Sequence, residues 1–319
     1  MKWERIISLL LLFLLTLSVI VAFLKTPPPS EKPPSPGVIK PLERGELAII
    51  YIYGPIEIKE PVFFALLPRG SDYVVWRLRQ LQKVRGLKAV LLRINSPGGS
   101  VAAVQDIYEE LKKLKEKGVK IVSSLGEIAT SGAYYIASIS DAIVAEPGTI
   151  TGSIGVIIPM VNMKELLNKL GIKMYSIKSG KFKDIGTIAR ELTEEEREIL
   201  EQLVNEAYNQ FLEAVKSGRG EKFKGVWEEV ADGRIFSGER AKKLGLVDYL
   251  GNFEDAKRIA CELAGIKGEP RIVGGERRGW ESLILRLEEK IFAPLSFFHR
   301  HREPILEYRY YSPHLFEEE

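Results

Sequence analysis

From Gly45 onward the chain alternates short, nearly continuous apolar runs with stretches of helical spacing, and few folds accept that pattern. Leu47–Tyr53, Leu87–Ile94, Val119–Leu125 and Ala142–Ala145 read as strands that are apolar on both faces. Between them, Asp72–Val84 places Val74, Val75, Leu78 and Leu81 on one side of a helix. Val101–Lys117 does the same with Val104, Ile107, Leu111 and Leu114. This alternation predicts an α/β domain built on a buried, mostly parallel sheet. Further strands are predicted at Gly155–Pro159 and Lys173–Ile177, around a helix at Met163–Leu170. A long helix, Thr193–Lys216, opens with the capping box Thr193 to Glu196. Gly233–Asp248 reads as a turn, a short helix and a strand-like end, and Asn252–Ala264 as a helix.

The flanks are of another kind. Residues 1–25 carry Lys2 and Arg5, then an uncharged apolar run of 19 residues from Ile6 to Leu24. As a helix that run spans about 28 Å, enough to cross a hydrocarbon core of about 30 Å. Its exit, Val21–Lys25, offers no small-x-small cleavage site, so the expectation is a retained single-pass anchor rather than a cleaved signal. Residues 26–44 form a proline-rich linker, with seven prolines among the sixteen residues Thr26–Pro41, and a semi-rigid extended spacer is expected. The folded domain is expected over residues 45–273. Residues 274–319 form an extension in which Trp280–Phe292 has helical spacing and the end looks irregular.

Composition excludes several classes. A net charge of +3 without a basic block gives no footprint for nucleic acid. One cysteine, Cys261, rules out an internal disulfide framework and a cysteine-rich metal site. The three histidines, His299, His301 and His314, all lie in the last 21 residues. Neither an imidazole zinc site nor a Ser-His-Asp triad suits such a chain, and no cofactor is expected. Acyl-transfer chemistry here would need a base other than histidine.

Four segments carry candidate chemistry. Thr130-Ser131-Gly132 sits where an apolar strand meets a helix, so the Ser131 hydroxyl lies near free helical N–H groups. An ordinary N-cap serine is the plainer alternative. Arg93-Ile-Asn-Ser-Pro-Gly-Gly-Ser100 ends a strand in paired glycines, and the N–H groups of Gly98 and Gly99 could form an oxyanion hole at a carboxyl strand end. Thr149–Gly155 adds small hydroxyl residues after a third strand. Lys178-Ser-Gly-Lys-Phe-Lys-Asp184 offers three lysines, and a desolvated lysine can serve a serine as general base. Spacing does not choose among Lys178, Lys181 and Lys183. Asp184 is expected to be structural or surface-exposed.

Asn95-Ser-Pro-Gly-Gly99, Thr130-Ser-Gly-Ala-Tyr134, Gly152-Ser-Ile-Gly155, Ser179-Gly-Lys-Phe-Lys-Asp184 and Gly233-Arg-Ile-Phe-Ser-Gly238 together resemble the signal peptide peptidase A family. They occur in its order and with its gaps, over roughly Gly45 to Gly265, and the apolar N-terminus fits its short, single-domain form. The resemblance implies a ClpP/crotonase-like spiral of repeated ββα and βαβ units. It also implies a Ser-Lys endopeptidase that hydrolyses remnant signal peptides after their release from preproteins. By position, Ser131 matches the nucleophile, Lys183 the general base, Gly98 and Gly99 the oxyanion loop, and Ser153 a serine that orients the lysine. The implied partners are peptides, the membrane, and further copies in a ring or bowl, an octamer among the options, with active sites built partly between subunits. The expected location is the cell membrane with the catalytic domain on the extracytoplasmic side, although the lysines flanking the apolar run do not set that orientation by themselves.

Three other readings compete. A protease of the same fold could act on stomatin-like or other membrane clients. A crotonase-type acyl-CoA enzyme would use the same paired N–H groups but carboxylates for its chemistry. A silent membrane scaffold would have no use for a nucleophile, a base and an oxyanion loop together.

Overall fold

The computed structural model describes residues 44–59 and 70–273, and the backbone of 307–309. The proposed anchor, the linker up to Pro41 and the helix expected at Trp280–Phe292 lie outside the described residues. Among the described residues no helix is long and apolar enough to cross a membrane.

The strands are β1 (Leu47–Tyr53), β2 (Ala89–Ser96), β3 (Gly98–Ser100), β4 (Lys120–Thr130), β5 (Ala142–Ala145), β6 (Ile150–Gly152), β7 (Ile235–Ser237), β8 (Tyr249–Leu250), β9 (Ile272–Val273) and β10 (Glu307–Arg309). The helices are α1 (Gly70–Leu81), α2 (Val101–Glu116), α3 (Gly132–Ser138), α4 (Lys164–Lys169), α5 (Glu194–Arg219), α6 (Trp227–Val230), α7 (Gly238–Leu244) and α8 (Phe253–Leu263). The predicted α/β architecture with a mostly parallel sheet is what forms. β9, β1, β2 and β4 lie side by side in parallel, and the other edge of β4 pairs first with β5 and then with β6. β8 extends the sheet beyond β5 in parallel, and β7 joins β6 antiparallel.

Both faces of the sheet are covered, which is why its strands lack polar alternation. One set of alternate residues, including Ile50, Leu92, Ile94 and Ile121, packs in one core with α1, α2, α3 and α5. The opposite set, Leu47, Ile49, Leu91, Val122 and Val144, packs on Ala256, Ile259 and Ala260 of α8. The predicted cap forms: Thr193 and Glu196 close a reciprocal box at α5, and the structure adds a second box, Asn252 with Asp255, at α8.

The strands expected at Gly155–Pro159 and Lys173–Ile177 do not form. Their β-branched residues suit a strand, but among the described residues neither builds a ladder: Ile157 makes only a single bridge, and Tyr175 and Ile177 stand 86% and 98% exposed. The end of the chain differs in the other direction. Expected to be irregular, it contributes β10, which pairs with β3.

Candidate active site

β4 runs five residues past the expected strand end at Leu125, and that extension builds the site. Ala129 stands opposite Ser96 at the end of β2, and Thr130 opposite Gly152 at the end of β6. The segments beginning at Ser131, Ser153 and Pro97 therefore leave three neighbouring strands at the same sheet edge, where parallel sheets place their ligands.

Ser131 is not an ordinary cap. Its φ is +54° and ψ −122°, and its hydroxyl makes no capping bond to α3. Its N–H donates to the Gly152 carbonyl at 2.8 Å, and its own carbonyl accepts from Tyr135 N–H at 2.9 Å. Backbone bonds on both sides thus fix a conformation that L-residues avoid. Ser153 is the second such residue, with φ +52° and its N–H bonded to the Arg234 carbonyl at 2.8 Å. Among the described residues these two serines alone, apart from glycines, have positive φ. Both are buried, Ser131 to 1% exposure and Ser153 to 8%. The neighbouring Thr130 hydroxyl is buried and finds no hydrogen-bond partner among the described residues.

α3 is rigidly seated. Each of its residues is buried, and Tyr134 donates its hydroxyl hydrogen to the Leu246 carbonyl at 2.8 Å. Burial pushes the Tyr134 phenol well above its ordinary range. Beneath it, the buried Arg219 guanidinium spans both Asp248 oxygens at 2.9 Å and reaches the Gly245 carbonyl. Sequence reading did not find this clamp, because its members come from α5 and from the connection after α7.

Gly98 and Gly99 form β3. A Cβ on Gly99 would lie 1.9 Å from the Ile56 carbonyl oxygen, so the close crossing with Ile56 demands glycine there. Ile56 N–H donates to the Gly98 carbonyl and Ser100 N–H to the Ile56 carbonyl. The N–H of Gly98 is taken up by the Ser96 hydroxyl at 3.1 Å. Peptide groups alternate between the edges of a strand, so those of Gly99 face away from Ile56.

The three lysines part company. Lys178 donates to the Asp184 carboxylate and to the Lys181 carbonyl, and Lys181 pairs with Glu195. Lys183 lies in a turn, exposed in the single subunit, and among the described residues its ammonium has no hydrogen bond or ion pair. Asp184 touches Lys178 and Arg190, not Lys183. The Arg190 guanidinium, with help from Lys178, holds the Asp184 carboxyl down at about 2, and together with the Thr193 N–H it holds Glu196 at about 2. This network ties the lysine loop to the N-terminus of α5.

The lysine loop belongs to a loosely seated stretch. α4 has no buried residue, and Val161, Leu170, Met174 and Tyr175 around it are largely exposed. A single chain therefore brings the two serines and the glycine strand together and leaves the lysine in solvent.

Two family models match the chain: peptidase family S49 over residues 113–267 and Clp protease over residues 69–142. A Synechocystis sp. protein named as a candidate protease is 49% identical over 197 residues, which cover 62% of this chain and 70% of that one. The chain belongs to peptidase family S49. A candidate signal peptide peptidase SppA of Enterococcus faecium is 41% identical over 56% of this chain and 52% of its own. Protease 4 of Salmonella typhi is 33% identical over 70% of this chain and 35% of its own, so the chain spans only part of these two relatives. As an S49 member this protein is a serine-type peptidase, a hydrolase. The S49 match takes in both positive-φ serines and the lysine loop.

Proposed function

We propose that this S49 peptidase is a membrane-anchored endopeptidase that hydrolyses released signal peptides with a Ser131–Lys183 dyad on a ClpP/crotonase-like spiral. The observation that carries the reading is the pair of strained, buried serines side by side at one sheet edge. Strain of this kind persists only where the surroundings over-determine it, and it collects at active sites. Ser131 holds its hydroxyl out of the capping role that its position would otherwise give it.

In the proposed mechanism the neutral Lys183 amine takes the Ser131 proton as Oγ attacks the scissile carbonyl. The oxyanion is met by backbone N–H groups of the Gly98–Gly99 loop, of which Gly99 supplies the donor that faces away from Ile56. The lysine then passes its proton to the leaving amine, and water hydrolyses the acyl-enzyme. Ser153, in the segment beside Ser131, orients the amine. Among the described residues Lys183 is the one of the three lysines without an ion pair to a carboxylate, which favours it as the base.

A lysine in solvent is protonated at neutral pH, so the dry surroundings that the base requires must come from outside the single chain. The apolar side chains around α4 support assembly of several copies, with a neighbour covering this stretch and completing the site. The apolar run at Ile6–Leu24 supports an anchor and a place at the cell membrane, with the catalytic domain on the extracytoplasmic side.

The test is cleavage of a labelled signal peptide by the full chain in detergent, alongside Ser131→Ala. The expected result is turnover that rises toward alkaline pH in the parent and falls on the order of 10⁴-fold or more in the variant. Turnover in Ser131→Ala at a tenth of the parent rate would assign the nucleophile elsewhere.

A further inference from the structure

The end of the sheet opposite the site carries an excess of positive charge. Arg44 and Arg85 meet there in a backbone bridge at the entries to β1 and β2, and Gly45 N–H donates to the Arg85 carbonyl. Lys83 stands two residues before Arg85, and Lys117 reaches the side-chain oxygen of Gln82 at 3.4 Å. All four are exposed, and among the described residues none has a carboxylate partner. Neighbouring cations extend the patch. Lys120 N–H donates to the Lys88 carbonyl at the start of β4. The carboxylates in between each serve two cations: Glu46 takes Lys88 and Arg271, and Asp141 takes Lys115 and Lys120. Glu116, beside Lys117, offsets one charge of the excess. The ends of α1 and α2 account for Lys83 and Lys117, since cations suit a helix C-terminus, but Arg44 and Arg85 lie on no helix.

The patch coincides with the point where the chain enters the domain. Arg44 follows the proline-rich linker, and the linker follows the apolar run at Ile6–Leu24. A short tether makes contact between the domain and the membrane intramolecular, so a weak attraction suffices. Several lysines and arginines within a Debye length of anionic headgroups supply one. We propose that the basic end of the sheet, centred on Arg44, Lys83, Arg85 and Lys117, docks on anionic phospholipid headgroups and turns the active-site edge away from the bilayer. The proposal rests on the anchor reading of Ile6–Leu24. Its consequence for substrates follows from the central strand. Lys120 opens β4 and Ser131 follows its last residue, so 11 residues of strand, about 35 Å, separate the headgroups from the nucleophile. A peptide still embedded in the bilayer lies at least that far below Ser131, and the substrates that arrive there are ones already released.

The experiment places the full chain in two kinds of vesicle, phosphatidylcholine alone and phosphatidylcholine with about 30% phosphatidylglycerol. Mass spectrometry follows the rate at which an amine-reactive ester modifies Lys83 and Lys117, with Lys59, beyond the far end of β1, as the internal reference. If the face is docked about four times out of five, both lysines react about fivefold more slowly on the anionic vesicles than on the neutral ones. Lys59 should react equally on both, and about 0.5 M salt should remove the difference. The double variant Arg44→Glu, Arg85→Glu should abolish the slowing and still float with either vesicle. Equal rates on the two vesicles, in a chain that floats with both, overturn the docking face and leave the anchor intact. A chain that does not float with the neutral vesicles removes the anchor reading, and the proposal with it. Slowing that a DNA duplex at the same phosphate concentration reproduces on neutral vesicles assigns the patch to nucleic acid and overturns the lipid reading.

Discussion

The two halves of the proposed dyad are held by very different parts of the molecule. Ser131 stands at the end of the central strand, on a helix buried along its whole length, with backbone bonds on both sides. Lys183 stands on an exposed turn in a stretch whose one helix buries nothing. The first half is over-determined by its own chain. The second is held mainly by polar contacts, through Asp184, Arg190 and Glu196 and through Lys181 and Glu195, and its apolar side chains face solvent. A nucleophile can be kept strained and buried without harm, because a neutral hydroxyl carries little desolvation cost. A base that must be uncharged only at work can be left unfinished until dry surroundings arrive, and under the proposed assembly a neighbouring copy would supply them.

The contrast is broken most directly at the lysines. Lys183→Ala is expected to cost about a thousandfold or more in kcat, and Lys178→Ala or Lys181→Ala less than tenfold. Those two are spoken for by Asp184 and Glu195. Steady-state kinetics on one peptide ranks all three. Near-parent activity in Lys183→Ala would mean that the unfinished half lies elsewhere. Next in size is a charge on the exposed apolar stretch: Leu170→Glu should split the assembly and lower specific activity about tenfold. Light scattering and activity measured over a dilution series should then move together. Full activity in a monomer would show that one chain dries its own lysine.

Much of this was legible beforehand, for physical reasons that differ by region. The buried strands announced themselves because residues such as Ile49, Leu91 and Val122 must be apolar on both faces. The cap at Thr193 follows a local rule and formed as read. Strand–helix order put Ser131 and the Gly98–Gly99 loop on one edge, while Ser153 was picked out only by the family resemblance. Three things were hidden. The strain at Ser131 and Ser153 depends on bonds to Gly152 and Arg234, which no local pattern reveals. The Arg219–Asp248 clamp joins distant segments. The absent strand at Lys173–Ile177 has the composition for a ladder but no partner among the described residues, and composition cannot supply a partner.

Acid sharpens the comparison from the lysine side. Asp184 and Glu196 are held at about 2, below their ordinary values of 3.8 and 4.5, so their contribution is complete above about pH 5 and lost as pH falls toward 2. The lysine loop is therefore expected to loosen in that window before the core does. Arg190→Gln should loosen it at every pH and lower kcat several-fold, with little change in the melting of the core. Limited proteolysis between residues 170 and 190 would follow both effects. Equal protection of parent and variant at pH 3 would mean that the network holds nothing.

The smallest effect is expected on the serine side, and it tests whether that half is as redundant as it looks. Tyr134→Phe leaves the Leu246 carbonyl buried without its donor, which costs about 1–2 kcal/mol and lowers the melting temperature by a few degrees. The position of Ser131 should survive, because its own backbone bonds to Gly152 and Tyr135 do not pass through the phenol. A kcat within about threefold of the parent, at temperatures where both are folded, is the expected outcome. A tenfold loss of kcat with an unshifted melting temperature would reverse the argument. It would show that the serine is held in place by a single distant bond, and that neither half of the dyad is secured by the chain that carries it.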